Sequence, residues 1–262
     1  MRCLFFGDVV GRPGREAVKG LLPVLRQRYS PDLVLANVEN AAGGFGVTAA
    51  VAEELHSAGV DLMTTGNHVW DKKESYRFLD ACPYLVRPAN YPPGVPGRGF
   101  LLHRLPGCGV GIMNLSGRAF LDPLDDPFRL ALELAEALRR ETTVILVDFH
   151  AEATAEKVAM GWHLDGKVSA VLGTHTHVPT ADGRILPQGT AYVTDVGMVG
   201  PRDSVLGMET ATILQRFKTQ MPARFPVASG PVAVNAIFLE VEVETGRALR
   251  FEQVLDVWER TD

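Results

Sequence analysis

Three observations predict an α/β fold. Short apolar runs of strand length recur along the chain, and segments of helical period separate the first of them. Several runs then stop at a glycine or at a polar residue able to ligate a metal. Eight such side chains stand at strand ends: Asp8, Glu39, Asn40, Asn67, His68, His150, His175 and His177. Parallel strands gather their carboxyl ends at one rim, so residues about 170 positions apart can meet there. A carboxylate, a bridging-capable Glu, two amides and four imidazoles make a hard oxygen and nitrogen set, suited to two divalent cations.

Arg2 to Phe6 is expected as a buried strand ending at Gly7-Asp8. From Arg15 to Tyr29, Ala17, Val18, Leu21, Leu22 and Leu25 share one helical face. Leu33 to Val38 forms a second strand that delivers Glu39-Asn40. A glycine-rich loop leads to Thr48, an N-cap for a helix carrying Val51, Leu55 and Ala58. Val60 to Thr65 ends at Gly66-Asn67-His68. This strand-helix rhythm implies parallel pairing with right-handed crossovers.

Residues 81–108, with five prolines between Pro83 and Pro96, break the rhythm as a looped excursion in which Phe100-Leu101-Leu102 can pair at a sheet edge. Val110 to Leu115 is a strand, and Pro127 to Arg140 a helix with Pro in its first turn. Val144 to Phe149 delivers His150, and Val168 to Leu172 delivers Gly173-Thr174-His175-Thr176-His177. Alternation from Val232 to Val243, resuming at Leu249 and Phe251 after Thr245-Gly246, reads as a terminal antiparallel hairpin. No repeat or domain-scale linker divides the 262 residues.

With 46% hydrophobic and 22% charged residues, the composition is that of a soluble globular protein. A net charge of −5 argues against broad binding to nucleic acid or an anionic membrane. It leaves room for a small anionic substrate, because bound metals reverse the local field. Cys3, Cys82 and Cys108 are odd in number and widely spaced, unlike a disulfide framework, which points to a reducing cytoplasm. Leu4-Phe5-Phe6 is too short for a signal peptide's core, and no apolar run approaches the ~20 residues that span a bilayer.

Each site residue also has an ordinary reading. Asp8 suits a turn, Glu39 a solvated loop, Asn67-His68 a surface turn, and His150 alone a structural role. Gly7 to Gly14 lacks both the dinucleotide spacing and the P-loop Lys. His56, His103 and His163 sit away from strand ends and are taken as non-functional. The His175-x-His177 pair is the hardest to dismiss, and the joint order of all these residues is more specific than any one.

In that order the chain resembles the calcineurin-like metallophosphoesterases, whose blocks are Asp-x-His, Gly-Asp, Gly-Asn-His, a lone His and Gly-His-x-His. Here they correspond to Gly7-Asp8-Val9-Val10, Val38-Glu39-Asn40, Gly66-Asn67-His68, Phe149-His150 and Gly173-Thr174-His175-Thr176-His177. Val10 replaces a His, Glu39 replaces the bridging Asp, and Thr174 is inserted. These departures are similar to the bacterial YmdB-like branch, with Gly-Asp-x-x-Gly, Glu-Asn and Gly-Thr-His-Thr-His, and the likeness extends to Asn114–Arg118 and Thr194–Met198.

The resemblance implies one metallophosphoesterase domain over 1–262, a four-layer αββα sandwich of mixed sheets with its metals at the strands' carboxyl ends. It also implies a phosphodiesterase for cyclic nucleotides, with 2′,3′-cyclic AMP favoured, and two divalent or trivalent ions, iron or manganese. Asp8, Glu39, Asn40 and His177 would hold one ion. Glu39, Asn67, His150 and His175 would hold the other, with Asn40 compensating for Val10. In this scheme a hydroxide shared by the two ions attacks phosphorus, and His68 protonates the leaving ribose oxygen.

Rival readings are a phosphomonoesterase or protein phosphatase with the same centre, and a non-catalytic metal-binding regulator. Ser116, Arg118 and Phe120 are candidates for phosphate or base contact that an ordinary loop explains equally well. The Pro-rich 83–98 segment either shapes a pocket wall or forms a contact in a homo-oligomer.

Overall fold

In chain order the computed structural model, which describes residues 1–259, contains β1 (Arg2–Val9), α1 (Gly11–Tyr29), β2 (Leu33–Asn37), α2 (Ala49–Ser57), β3 (Leu62–Thr64), α3 (Ser75–Phe78) and β4 (Leu85–Val86). Then come β5 (Phe100–Leu105), β6 (Cys108–Ser116), α4 (Pro127–Arg139), β7 (Val144–His150), α5 (Thr154–Leu164) and β8 (Ala170–Thr174). The chain finishes with β9 (Arg184–Ile185), β10 (Ala191–Val193), β11 (Met198–Pro201), α6 (Thr210–Thr219), β12 (Val232–Val241) and β13 (Ala248–Trp258).

These strands make two mixed sheets. One runs β13-β12-β11-β1-β2-β3-β4, the other β5-β6-β7-β8-β10-β9. β1, β2 and β3 are parallel, as are β6, β7, β8 and β10, while the terminal hairpin β12–β13 joins β1 antiparallel.

Period-two alternation builds the layers. Leu4, Phe6, Val34 and Ala36 face outward into a core with Val18, Leu22 and Leu25 of α1 and Leu55 of α2. Their neighbours Cys3, Phe5, Leu33 and Leu35 face inward and pack on Ile112, Leu146, Leu172 and Val193 of the second sheet. The far face of that sheet, with Met113, Ile145 and Val147, packs on Ala131, Ala135 and Leu138 of α4 and Met160 and Leu164 of α5. The result is a four-layer αββα sandwich, as the sequence resemblance implied.

Local signals work where expected. Thr48 Oγ1 accepts from Val51 N at 3.2 Å, and Pro127 opens α4 behind the Asp126 cap. The excursion at 81–108 returns as β5, antiparallel to β6 at a sheet edge.

Helix α1 starts at Gly11 rather than Arg15. Its first turn, Gly11 to Gly14, carries no apolar periodicity, and a Cβ at Gly14 would collide with the Val199 carbonyl. Helix α5 has no clear amphipathic signal because a lysine, Lys157, occupies its buried face. Among the described residues no helix is long and apolar enough to cross a membrane.

Candidate metal centre

The ends of β1, β2 and β3 from one sheet meet those of β7 and β8 from the other. Asp8 lies on β1 beside a register shift, its N–H donating to Gly197 O at 3.1 Å. A side chain at Gly7 would strike that same carbonyl, so glycine allows the close approach. The Asp8 carboxylate is fully buried. Oδ2 accepts from His175 N at 3.1 Å, whereas Oδ1 has no hydrogen-bond partner among the described residues and lies 3.8 Å from His150 Nδ1.

Glu39 follows β2. Its N–H is fixed by Asn37 Oδ1 at 3.1 Å, its Oε2 accepts from His68 N at 3.1 Å, and its Oε1 lies 3.0 Å from His150 Nε2. Asn67 Oδ1 is 2.9 Å and His175 Nδ1 3.0 Å from the same Nε2. A Cβ at Gly66 would collide with Glu39 Oε2 and the His150 ring, so this close grouping requires glycine.

The surrounding contacts determine which way the rings present their lone pairs. The Thr174 hydroxyl donates to Asp148 Oδ1 at 2.6 Å, so at 2.9 Å it accepts from His150 Nδ1–H. That leaves the lone pair of a neutral His150 on Nε2. His175 Nε2 donates to Glu152 Oε2 at 3.0 Å, leaving the His175 lone pair on Nδ1. Two imidazole lone pairs, a carboxylate oxygen and an amide oxygen therefore converge. The ligating atoms of Glu39, His150 and His175 lie within 4.8 Å of one another.

Nearby, His177 Nδ1 donates to Leu206 O at 3.0 Å, turning Nε2 toward Asn40 Oδ1 at 3.4 Å. Asn40 Nδ2 donates to Gly44 O at 3.0 Å, so its oxygen faces the imidazole. Again two acceptors point at each other.

A cation or a proton must stand among such lone pairs, and the two compete. The electrostatics follow from this. Burial would lower the His150 pKa, but the carboxylates of Glu39 and Asp8 raise it to about 9. Burial would raise Glu39, yet His150 and the His68 N–H hold it near 2. Burial, and then the neighbouring His150, depress His175 to about 3. Burial lifts Asp8 to about 6 against the pull of His177 and His150. With Asp8 Oδ1 lacking a partner among the described residues, the donor set fits hard or borderline divalent cations.

His68 is half-buried. Its Nδ1 lies 2.9 Å from Asp71 Oδ2, and its ring meets Phe45 edge-on at 5.1 Å. Glu39, Asn40, His68, His175 and His177 together line a cavity of about 400 Å³.

The other candidates lie elsewhere. Ser116 is buried on β6, Arg118 faces Asp126 at 3.5 Å and Phe120 is 89% exposed; none of the three lines the cavity. His56 stacks on Tyr84 and bonds Val60 O, and His163 bonds Phe128 O. Val10 fills a small apolar cluster with Met198, Met208 and Ile213.

Sequence reading misses the residues that hold the ligands. Asp148 is a charged residue two positions before His150 in an apolar strand, hence on the same face, and that is the available signal. Thr174 stands out only as a departure from the family pattern. Lys157 and Asp195 form a buried pair at 2.6 Å, and Asp195 also accepts from Thr176 N and Oγ1. This clamps the loop in which His175 and His177 adopt positive φ, 102° and 66°.

Paired mixed sheets with a mixed oxygen and nitrogen donor cluster where their strand ends meet define the calcineurin-like metallophosphoesterase class. Residues 4–254 match the YmdB-like protein family, and the chain belongs to it. A 2′,3′-cyclic-nucleotide 2′-phosphodiesterase of Bacillus subtilis is 51% identical over 255 residues, covering 97% of each chain. A hypothetical protein from Thermus thermophilus superposes with a TM-score of 0.92 at 48% identity, over 100% of both chains. A novel phosphatase from Mycoplasma pneumoniae superposes at 0.93 with 37% identity, over 99% of this chain and 94% of that one. The protein is a hydrolase of phosphoesters, and membership implies dependence on divalent metal.

Proposed function

We propose that residues 1–262 act as one metallophosphoesterase domain that hydrolyses 2′,3′-cyclic nucleotides, 2′,3′-cyclic AMP foremost. The observation that carries this reading is the convergence of Glu39, Asn67, His150 and His175 lone pairs near an Asp8 oxygen without a partner among the described residues, next to a substrate-sized cavity that Glu39 and His175 line. The activity of the Bacillus subtilis relative supplies the substrate class.

Two ions, iron or manganese, are assigned to these residues. Asp8, Glu39, Asn40 and His177 would hold one, and Glu39, Asn67, His150 and His175 would hold the other. When bound, the ions supply acidification of water and neutralisation of the phosphoryl oxygens. The protein does the rest. Thr174 and Glu152 orient the imidazoles, Asp195 holds the 175–177 loop, and His68, steadied by Asp71, donates a proton to the leaving ribose oxygen.

The test combines elemental analysis of protein purified without added metal with turnover on 2′,3′- and 3′,5′-cyclic nucleotides, with and without chelator. Chelator-sensitive hydrolysis of 2′,3′-cyclic AMP is expected. Turnover of p-nitrophenyl phosphate with none on any cyclic nucleotide would instead make the protein a phosphomonoesterase.

A further inference from the structure

The cavity beside the cluster has two chemically different walls. Besides the imidazoles and carboxylates, its lining includes an apolar wall of Phe45, Met208, Ile213, Phe217 and Phe225, contributed by the loop after β2, the turn before α6, α6 itself and the segment after it. A phosphate group gains nothing from these five apolar side chains, because its oxygens need cations and N–H donors. Apolar surface beside a polar reaction centre favours a substrate whose reacting group carries a flat, poorly hydrated appendage.

Two details specify that appendage. Ile213 is the one residue of α6 that is buried, while Phe217 is 71% exposed and still borders the cavity. Its ring contributes little to the core and stands as a free stacking surface. One position before it in the chain, Arg216 also lines the cavity. Its Nη1 is shielded from solvent and lacks a hydrogen-bond partner among the described residues. A shielded, unpaired guanidinium N–H is costly, and turning this side chain so that the N–H meets an acceptor in the cavity relieves that cost. A nucleobase offers both features at once, a π face and an edge bearing ring nitrogens and carbonyl oxygens.

We propose that this wall is the base subsite, with Phe217 stacking on the nucleobase and Arg216 donating to its acceptor edge. The proposal rests on the cyclic-nucleotide reading above and adds how the nucleoside is held. Stacking area favours purines over pyrimidines, and a purine N7 suits the Arg216 donor. Phe45 connects the two walls, since its ring also meets the edge of His68.

The test compares metal-loaded wild type with Phe217→Leu, Phe217→Tyr and Arg216→Met. Two substrates share the reacting group, 2′,3′-cyclic AMP and the base-free ribose 2′,3′-cyclic phosphate. In parallel, calorimetry measures binding of 3′-AMP and of inorganic phosphate. Phe217→Leu and Arg216→Met should lose about ten- to a hundredfold more kcat/KM on the nucleotide than on the base-free diester. They should weaken 3′-AMP far more than phosphate, and Phe217→Tyr should restore most of the loss. Equal losses on both substrates would overturn the base subsite while the functional reading stands. Wild type without turnover on any 2′,3′-cyclic nucleotide would overturn the functional reading, and the subsite with it. Because Phe217 is largely exposed, its variants should fold, and thermal melting checks this.

Discussion

Two buried ionic groups flank the loop that carries His175 and His177, and they are finished differently. Lys157 and Asp195 are 1% and 0% exposed, much like His150 and Glu39 at 0% and 1%. Around Asp195, Oδ2 accepts from Lys157, Thr176 N and Thr176 Oγ1, and Oδ1 accepts from Gly197 N at 2.8 Å. That group is closed. Around Glu39 and His150, lone pairs face lone pairs and an Asp8 oxygen has no partner among the described residues. Burial is equal in the two groups, so what separates a structural clamp from a binding centre is whether every polar atom is already satisfied.

The largest effect should come from Glu39→Ala, which removes the ligand assigned to both ions. Bound metal should fall below one equivalent per chain, and turnover on 2′,3′-cyclic AMP should fall on the order of a thousandfold. Full metal content with normal turnover would erase the distinction between the two groups.

His68→Ala should cut turnover about 10²–10⁴-fold while both ions stay bound. Lost metal would reassign His68 as a ligand.

In the closed group, Lys157→Met leaves Asp195 buried without its cation, at a cost of about 3–5 kcal/mol in stability. Denaturant titration reads this. Lost turnover at unchanged stability would mean the clamp takes part in the chemistry.

Thr174→Val removes the hydroxyl between His150 and Asp148 and should weaken metal binding about 10–100-fold, with Thr174→Ser restoring it. Competition with a chelating dye measures that affinity.

The smallest effect belongs to a partly exposed pairing. Burial would raise the Glu54 carboxyl, yet Lys19 and Arg15 hold it below its ordinary value of 4.5. A carboxyl lowered on folding contributes stability above pH 4.5 that is lost as the pH falls through its depressed value. Glu54→Gln should therefore cost under about 1 kcal/mol near neutrality and flatten acid denaturation slightly. A larger loss would show that pairing, rather than burial, dominates in this protein.

Much of this is legible along the chain. Strand length, apolar periodicity, the Thr48 cap and Pro127 at the start of a helix are local, so β1, β2, β7 and α4 appear within a residue or a few of their expected bounds. Candidate ligands are visible because a polar residue ending an apolar run is conspicuous. Segments with weak local signals are not: α5 hides its period behind Lys157, and α6 buries only Ile213. Thr174, Glu152 and Asp195 escape for another reason. Thr, Glu and Asp are ordinary in loops, and nothing near them in sequence names their partners.

Residue type and order thus carry the fold class, the family and the set of ligand-capable side chains, because short-range periodicity and chemistry are properties of neighbours in the chain. Folding adds the meeting of two separate sheets, which brings Asp8, Glu39 and Asn67 against His150 and His175. It also adds the contacts that aim each lone pair and the apolar part of the cavity's lining. Those depend on distances between residues far apart in the chain, which composition and spacing do not encode.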